Sequence, residues 1–178
     1  MNSPIELNGI VNGAAERSAV YRALAQTFTY AGAQQGPFEI SGFDFNEAFD
    51  PSVSATAASL REGSYADEDQ SALFEELVRF YQFFGLNRGE GAEMPDHISV
   101  ELEFMHFLTH LESVTEDPEA LGSLYRAQLD FLQRHLRRVA LGAQKGMKST
   151  QPQCVELMET CVEFIEAELA LIKEKANG

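Results

Sequence analysis

The stretch Glu93–Leu111, EMPDHISVELEFMHFLTHL, constrains this chain more than any other. From Ile98 onward, Ile98, Val100, Leu102, Phe104, Met105, Phe107, Leu108 and Leu111 would spread over roughly 220° of a helix surface at about 100° per residue. A helix that apolar has to be surrounded by other helices. Ser99, Glu103, His106 and His110 fall together on the remaining arc as a narrow polar seam. Pro95 suits a first helical turn, where its missing N–H would be unpaired anyway. Asp96 behind it places a carboxylate at the positive end of the helix dipole.

The rest of the chain supplies the surrounding helices. Residues 1–12 read as a loose tail. A helical pattern starts at Gly13, with Ala19, Val20, Leu24, Phe28 and Ala31 on one face, and runs to a stop at Gly32. Between 32 and 68, glycines and prolines leave room only for brief helices, around Phe45–Phe49 and Ser52–Arg61. A further helix is expected from Asp69 to Phe84, with Leu73, Leu77, Phe80, Tyr81 and Phe84 on its apolar face. Residues 85–94, GLNRGEGAEM, hold three glycines and no apolar period, so they read as a hinge loop between two helical halves. Asp117 then Pro118 is the expected order of N-cap and first helical residue, opening a helix that Gly142 and Gly146 end. A last helix covers about Pro152 to Lys175. No alternating strand pattern competes. The expected fold is all-α: a single-domain bundle of five or more main helices over residues 13–178.

At 178 residues with 44% hydrophobic content, one core suffices. No tract approaches the ~20 apolar residues of a membrane span, and the N-terminus lacks the basic and apolar regions of a signal peptide, so a cytoplasmic location is expected. Cys154 and Cys161, seven residues apart on a helix, lie roughly 10 Å apart along its axis. That exceeds the ~7 Å reach of a disulfide, and they read as small buried hydrophobes. A net charge of −15 argues against nucleic acid and anionic lipid as partners and is compatible with a basic one, such as an arginine-containing peptide.

The catalytic motifs are incomplete. Glu103 and His106 form one Glu-x-x-His element, but a di-iron bundle needs it twice. His106 and His110 have zincin spacing, but Phe107 stands where the general base belongs. No phosphate-binding loop opens a helix. Neither catalytic residues nor a metal or cofactor site is expected; a metal-dependent bundle enzyme using Glu103, His106 and His110 is the rival from another class, and an acidic helical adaptor unconnected with export is a second. Asp96 and His97 are the more informative pair, because a hinge meets a central helix there. A carboxylate in such a crevice can receive a guanidinium; the alternative is that Asp96 caps the helix and His97 is exposed. Phe80, Tyr81, Phe83 and Phe84 are core by spacing, with one or two of them free to line a peptide groove.

Met94-Pro95-Asp96-His97 followed by Glu101-Leu102-Glu103-Phe104-Met105 and Leu108 resembles the Pro-Asp-His and Glu-Leu-x-Phe-Met block of the TorD/DmsD/NarJ chaperones. Arg17, Tyr21, Leu24, Ala25 and Phe28 resemble that family's first helix. Leu77, Tyr81 and Phe84 resemble the helix before its hinge. Phe131-Leu132 with His135-Leu136 resembles its later Phe-Leu-x-x-His-Leu segment. The chain departs in having Val139 near a position where many members carry Trp, and Met-Pro-Asp-His rather than Glu-Pro-x-Asp-His. The resemblance implies a non-enzymatic, cytoplasmic maturation chaperone. Such a protein binds the twin-arginine leader and the apo catalytic subunit of a molybdenum oxidoreductase, assists cofactor insertion and delays export. It also implies Asp96 and His97 as leader contacts; from the residues themselves, Glu93 and Glu101 are secondary candidates for an acidic rim. Tyr81 and Phe84 would receive the leader's apolar part. The glycine hinge leaves both a monomer and a domain-swapped dimer open.

Overall fold

The computed structural model describes residues 13–87 and 89–178; the expected loose tail, residues 1–12, lies outside them. Among the described residues the regular elements are helices α1 (Ala14–Thr27), α2 (Tyr30–Gln35), α3 (Gly42–Phe49), α4 (Gln70–Phe83), α5 (Ile98–Val114), α6 (Pro118–Phe131), α7 (Arg137–Gly146) and α8 (Pro152–Asn177). A 3-10 turn spans Glu62–Ser64 and a π-helical turn spans Leu132–Leu136. The protein is all-α, as expected. No helix among the described residues is long and apolar enough to cross a membrane.

The central helix is α5. Ile98, Leu102, Met105 and Leu108 are fully buried, because α1 lies along one side of α5 and α6 with the π-turn covers the other. The helix α8 closes the bundle against α6 and α7, burying Cys154 and Cys161 as free thiols whose burial pushes both up to about 12. Phe104 anchors an aromatic cluster, with ring centroids 4.7 Å from Phe131, 5.0 Å from Tyr81 and 5.8 Å from Phe84. Each such pair adds about 0.5–1.5 kcal/mol beyond the area it buries.

A buried polar knot fixes the helices relative to one another. Arg17 of α1 is fully buried. Its Nε donates to Glu168 Oε2 (2.8 Å), Nη1 to both Glu112 oxygens (2.9 and 3.0 Å) and Nη2 to Gln128 Oε1 (2.8 Å). Gln128 Nε2 and Lys175 Nζ donate in turn to Glu112. Burial opposes the Arg17 charge, but the bond to Glu168 and the fields of Glu168 and Glu112 raise its pKa further.

Several expectations need correction. The first helix does not run to Gly32: it ends at Thr27, and Thr29 takes an extended conformation whose Oγ1 accepts the Gly32 N–H (3.0 Å), capping a separate α2. The expected helix over 52–61 does not form. Asp50 Oδ1 accepts both the Ser52 N–H (3.0 Å) and the Ser52 hydroxyl (2.6 Å), turning the chain, and side chain-to-backbone bonding of this kind competes with helix. Pro95 and Asp96 are not in the first turn of α5. His97 is its N-cap, with Nδ1 accepting the Ser99 N–H at 3.1 Å, and the helix starts one residue later. The helix expected from Pro118 to Gly146 is continuous but carries the π-turn at its middle.

Candidate functional site

The hinge region is where the informative residues gather. Gly85 and Gly91 hold φ of 78° and 73°, a left-handed backbone that glycine adopts without strain. The loop then delivers Pro95–His97 into an antiparallel bridge with Arg61. Glu62 N donates to Asp96 O and Ile98 N to Leu60 O, both at 2.8 Å. Tyr81 reaches across from α4, its hydroxyl donating to Pro95 O (2.7 Å). Thus the 60–64 segment, α4 and the start of α5 are fastened at one point.

Asp96 is fully buried at that point. Its Oδ1 accepts from Arg61 Nε and its Oδ2 from the Gly63 N–H, each at 2.9 Å. A Cβ on residue 63 would meet Oδ2 at 2.9 Å, so only glycine allows this approach. Asp96 is therefore neither an open crevice carboxylate nor the cap of α5 in the free protein; its oxygens are already engaged. His97 beside it is half-buried, and burial holds its imidazole below the usual range against the opposing fields of Glu93 and Asp96. A neutral ring leaves Nδ1 free to accept the capping bond.

Behind the hinge lies a second acidic group. Glu62 and Glu101 are both fully buried. Glu62 receives His135 Nδ1 (3.0 Å) and Arg138 Nε (2.7 Å). Burial works against its charge, but the hydrogen bonds with His135, Glu101 and Arg138 outweigh burial and hold its carboxyl below the usual range. Glu101 goes the other way: burial first, then the neighbouring Glu62 charge, push it well up. An ionised Glu101 would have both oxygens unpartnered. As the neutral acid it has a proton to give Glu62. Glu101 is thus an interior acid, not part of an acidic rim, because its α5 position turns it toward the 3-10 turn. His135, which meets Glu62, sits in the π-turn, a feature often found at functional positions.

Two cavities flank this core. A cleft of about 1130 Å³ opens between α1, α2, the hinge loop and α5. Tyr81, Leu86, Val100, Phe104 and Phe107 give it apolar walls, while Glu93, Glu103 and Arg22 bring charge. His106 also lines it, with its Nδ1 bonded to Ser18 O (2.9 Å). A groove of about 1020 Å³ runs between α4 and α6 over the end of α5, lined by Phe80, Phe83 and Phe84 and flanked by Arg79, Arg126 and Arg134. Phe83 is 82% exposed there. The structure therefore divides the expected site residues: Glu93 and Tyr81 line the cleft, Phe84 the groove, Asp96 and His97 the hinge joint, and Glu101 the interior. Among the described residues, no three His, Cys, Asp or Glu side chains come together to hold a metal ion. Sequence reasoning missed Arg61, Glu62 and Arg138, which become visible only once the 60–64 segment is seen pairing with the hinge.

Residues 14–138 match the family described as nitrate reductase delta subunit. The chain is 35% identical over 130 residues to the perchlorate reductase assembly chaperone protein of Dechloromonas aromatica (strain RCB), covering 70% of this chain and 58% of that relative's length. It is 28% identical over 186 residues to the selenate reductase assembly chaperone protein of Thauera selenatis, covering 96% of each. It is 28% identical over 177 residues to the chlorate reductase assembly chaperone protein of Ideonella dechloratans, covering 90% of this chain and 91% of that relative. These relatives are named for assembly, not for catalysis. The hinge joint, the π-turn and the Arg17, Glu112 and Gln128 members of the polar knot fall inside the matched span, and the chain belongs to the nitrate reductase delta subunit family of the TorD/DmsD/NarJ redox enzyme maturation proteins.

Proposed function

We propose that this chain is a cytoplasmic chaperone for the apo catalytic subunit of a molybdenum reductase. In this reading it binds the subunit's twin-arginine leader at the hinge, assists cofactor insertion and delays export until insertion is complete. The observation that carries the reading is the cleft beside the hinge, whose apolar walls and Glu93 and Glu103 carboxylates suit a segment that combines arginines with an apolar run. The names of the relatives support the assembly role. The net charge of −15 supports attraction of a basic leader. Arginine is the natural probe of such a surface, since its charge is permanent and its planar fork pairs with carboxylates. The leader's apolar residues would lie on Val100, Phe104 and Phe107, with Tyr81 as the cleft's inner wall. The α4–α6 groove, including Phe84, is available to the body of the client.

Calorimetric titration with a twin-arginine leader peptide tests this, against a control peptide with both arginines replaced by alanine. Binding in the micromolar range or tighter, lost in the control, is expected. Equal binding of both peptides would remove arginine recognition from the function.

A further inference from the structure

The hinge joint already contains a guanidinium. Arg61 donates to Asp96 through Nε alone. Its side chain remains 37% exposed although its partner carboxylate is fully buried. The guanidinium lies over the Phe74 ring, 5.6 Å from the centroid. Carboxylate, aromatic face and the neighbouring His97 imidazole together form the kind of surroundings that recognise an arginine. Asp96 does not depend on Arg61 for its position, because the Gly63 N–H holds Oδ2 from the other side. Nor does the Arg61 backbone depend on its side chain. The flanking bonds, Glu62 N to Asp96 O and Ile98 N to Leu60 O, pin the segment. The side chain can leave while the chain stays.

We propose that Arg61 is a displaceable stand-in for a ligand arginine: an incoming peptide guanidinium replaces it on Asp96, against Phe74. The inference rests on the leader-binding reading above and adds the residue that sets its affinity and its preference for arginine. Exchange replaces one guanidinium with another, so the buried carboxylate ends paired in the free and in the bound protein alike, and the unpaired state between them is costly and therefore rare. Lysine fits this exchange poorly, since it lacks the planar fork that stacks on Phe74. Because the resident arginine occupies the socket, the leader meets a site that is open only part of the time, and its apparent affinity is lowered by that fraction.

The test has two parts. In the first, methylguanidinium should raise the melting temperature of Arg61→Ala, but not that of the wild-type protein or of the Arg61→Ala/Asp96→Asn double variant. In the second, Arg61→Ala should bind a twin-arginine leader peptide roughly three- to tenfold more tightly than wild type, with the gain lost in the double variant. Arg61→Gln, which keeps an uncharged donor over Asp96, should show a smaller gain in the same direction and serves if the alanine variant does not fold. Equal or weaker leader binding by a folded Arg61 variant would overturn the proposal and leave leader binding standing. A methylguanidinium effect that persists in the double variant would also overturn it. Failure of both proteins to bind any leader would remove the reading on which it rests, and the proposal with it.

Discussion

Glu101 shows how one buried acid links the hinge helix to the surface around it. Burial and the Glu62 charge raise its folded-state pKa well above the ordinary carboxyl value, so the folded protein favours its neutral form. The sign follows from linkage. A group with a raised folded pKa contributes stability that is complete below its unfolded pKa, about 4.3 for glutamate, and is lost as the pH climbs toward the folded value. Glu62 contributes the opposite dependence: with a lowered folded pKa, its stabilisation is present above the unfolded value and is lost as pH falls through the folded one. Glu101→Gln keeps an N–H donor for Glu62 and removes the titration. Urea midpoints measured from about pH 5 to about pH 9 should therefore show the variant gaining on wild type as pH rises. A constant difference across that range would mean that Glu101 does not titrate in the folded protein.

Arg17 does for the helices what Asp96 does for the hinge: a single side chain fixes α1 against α5, α6 and α8 through Glu112, Gln128 and Glu168. Arg17→Met fills much of the same volume but leaves Glu112 and Glu168 buried without their cation. Breaking a buried pair from one side costs about 3–5 kcal/mol, and the variant should lose that much in urea unfolding; a loss of under about 1 kcal/mol would mean Lys175 and Gln128 suffice for Glu112. The apolar period of α5 was legible in the sequence, as were the Asp117-Pro118 start of α6 and the glycine-rich loop, because each is encoded by neighbours within one or two turns. The expected face of α1 was only half right, since Leu24 and Phe28 are buried but Ala19 and Ala31 are exposed, and Arg17, Tyr21 and Ala25 face the core instead. The Thr29 break, the Asp50 turn and the His97 cap also use short-range bonds, but they compete with continuing helical patterns and were lost to them. The hinge joint was half legible. Asp96 and His97 stood out, whereas Arg61 and Glu62 come from a segment about 35 residues away that bridges back to them, and no local pattern announces that. Nor does sequence spacing disclose the π-turn, since one widened turn leaves Phe131, Leu132, Leu136 and Val139 all on the buried side.

The charge of the whole chain acts on stability and on recognition with opposite signs. With 28 acidic and 13 basic residues, the compact state gathers an excess of negative charge that its own fold must hold together. Three of the cations, Arg17, Arg61 and Arg138, are already committed to the buried carboxylates of Glu112, Asp96 and Glu62, so they do little to relieve the outer surface. Added salt shortens the Debye length to about 10 Å at 0.1 M and screens the surface repulsion far more than these short buried pairs. The melting temperature should accordingly rise as salt is increased from about 0.01 M to about 0.1 M. Association with a cationic leader should respond the other way, because the same acidic field that strains the fold draws the peptide in. Stopped-flow association rates should fall over the same salt range, while dissociation changes less, since in the proposed complex it breaks contacts inside the cleft and at the hinge. A rate that ignores salt would assign recognition to the apolar walls alone. A melting temperature that falls with salt would mean that surface ion pairs such as Arg137–Glu166 and Arg79–Glu75 outweigh the net repulsion.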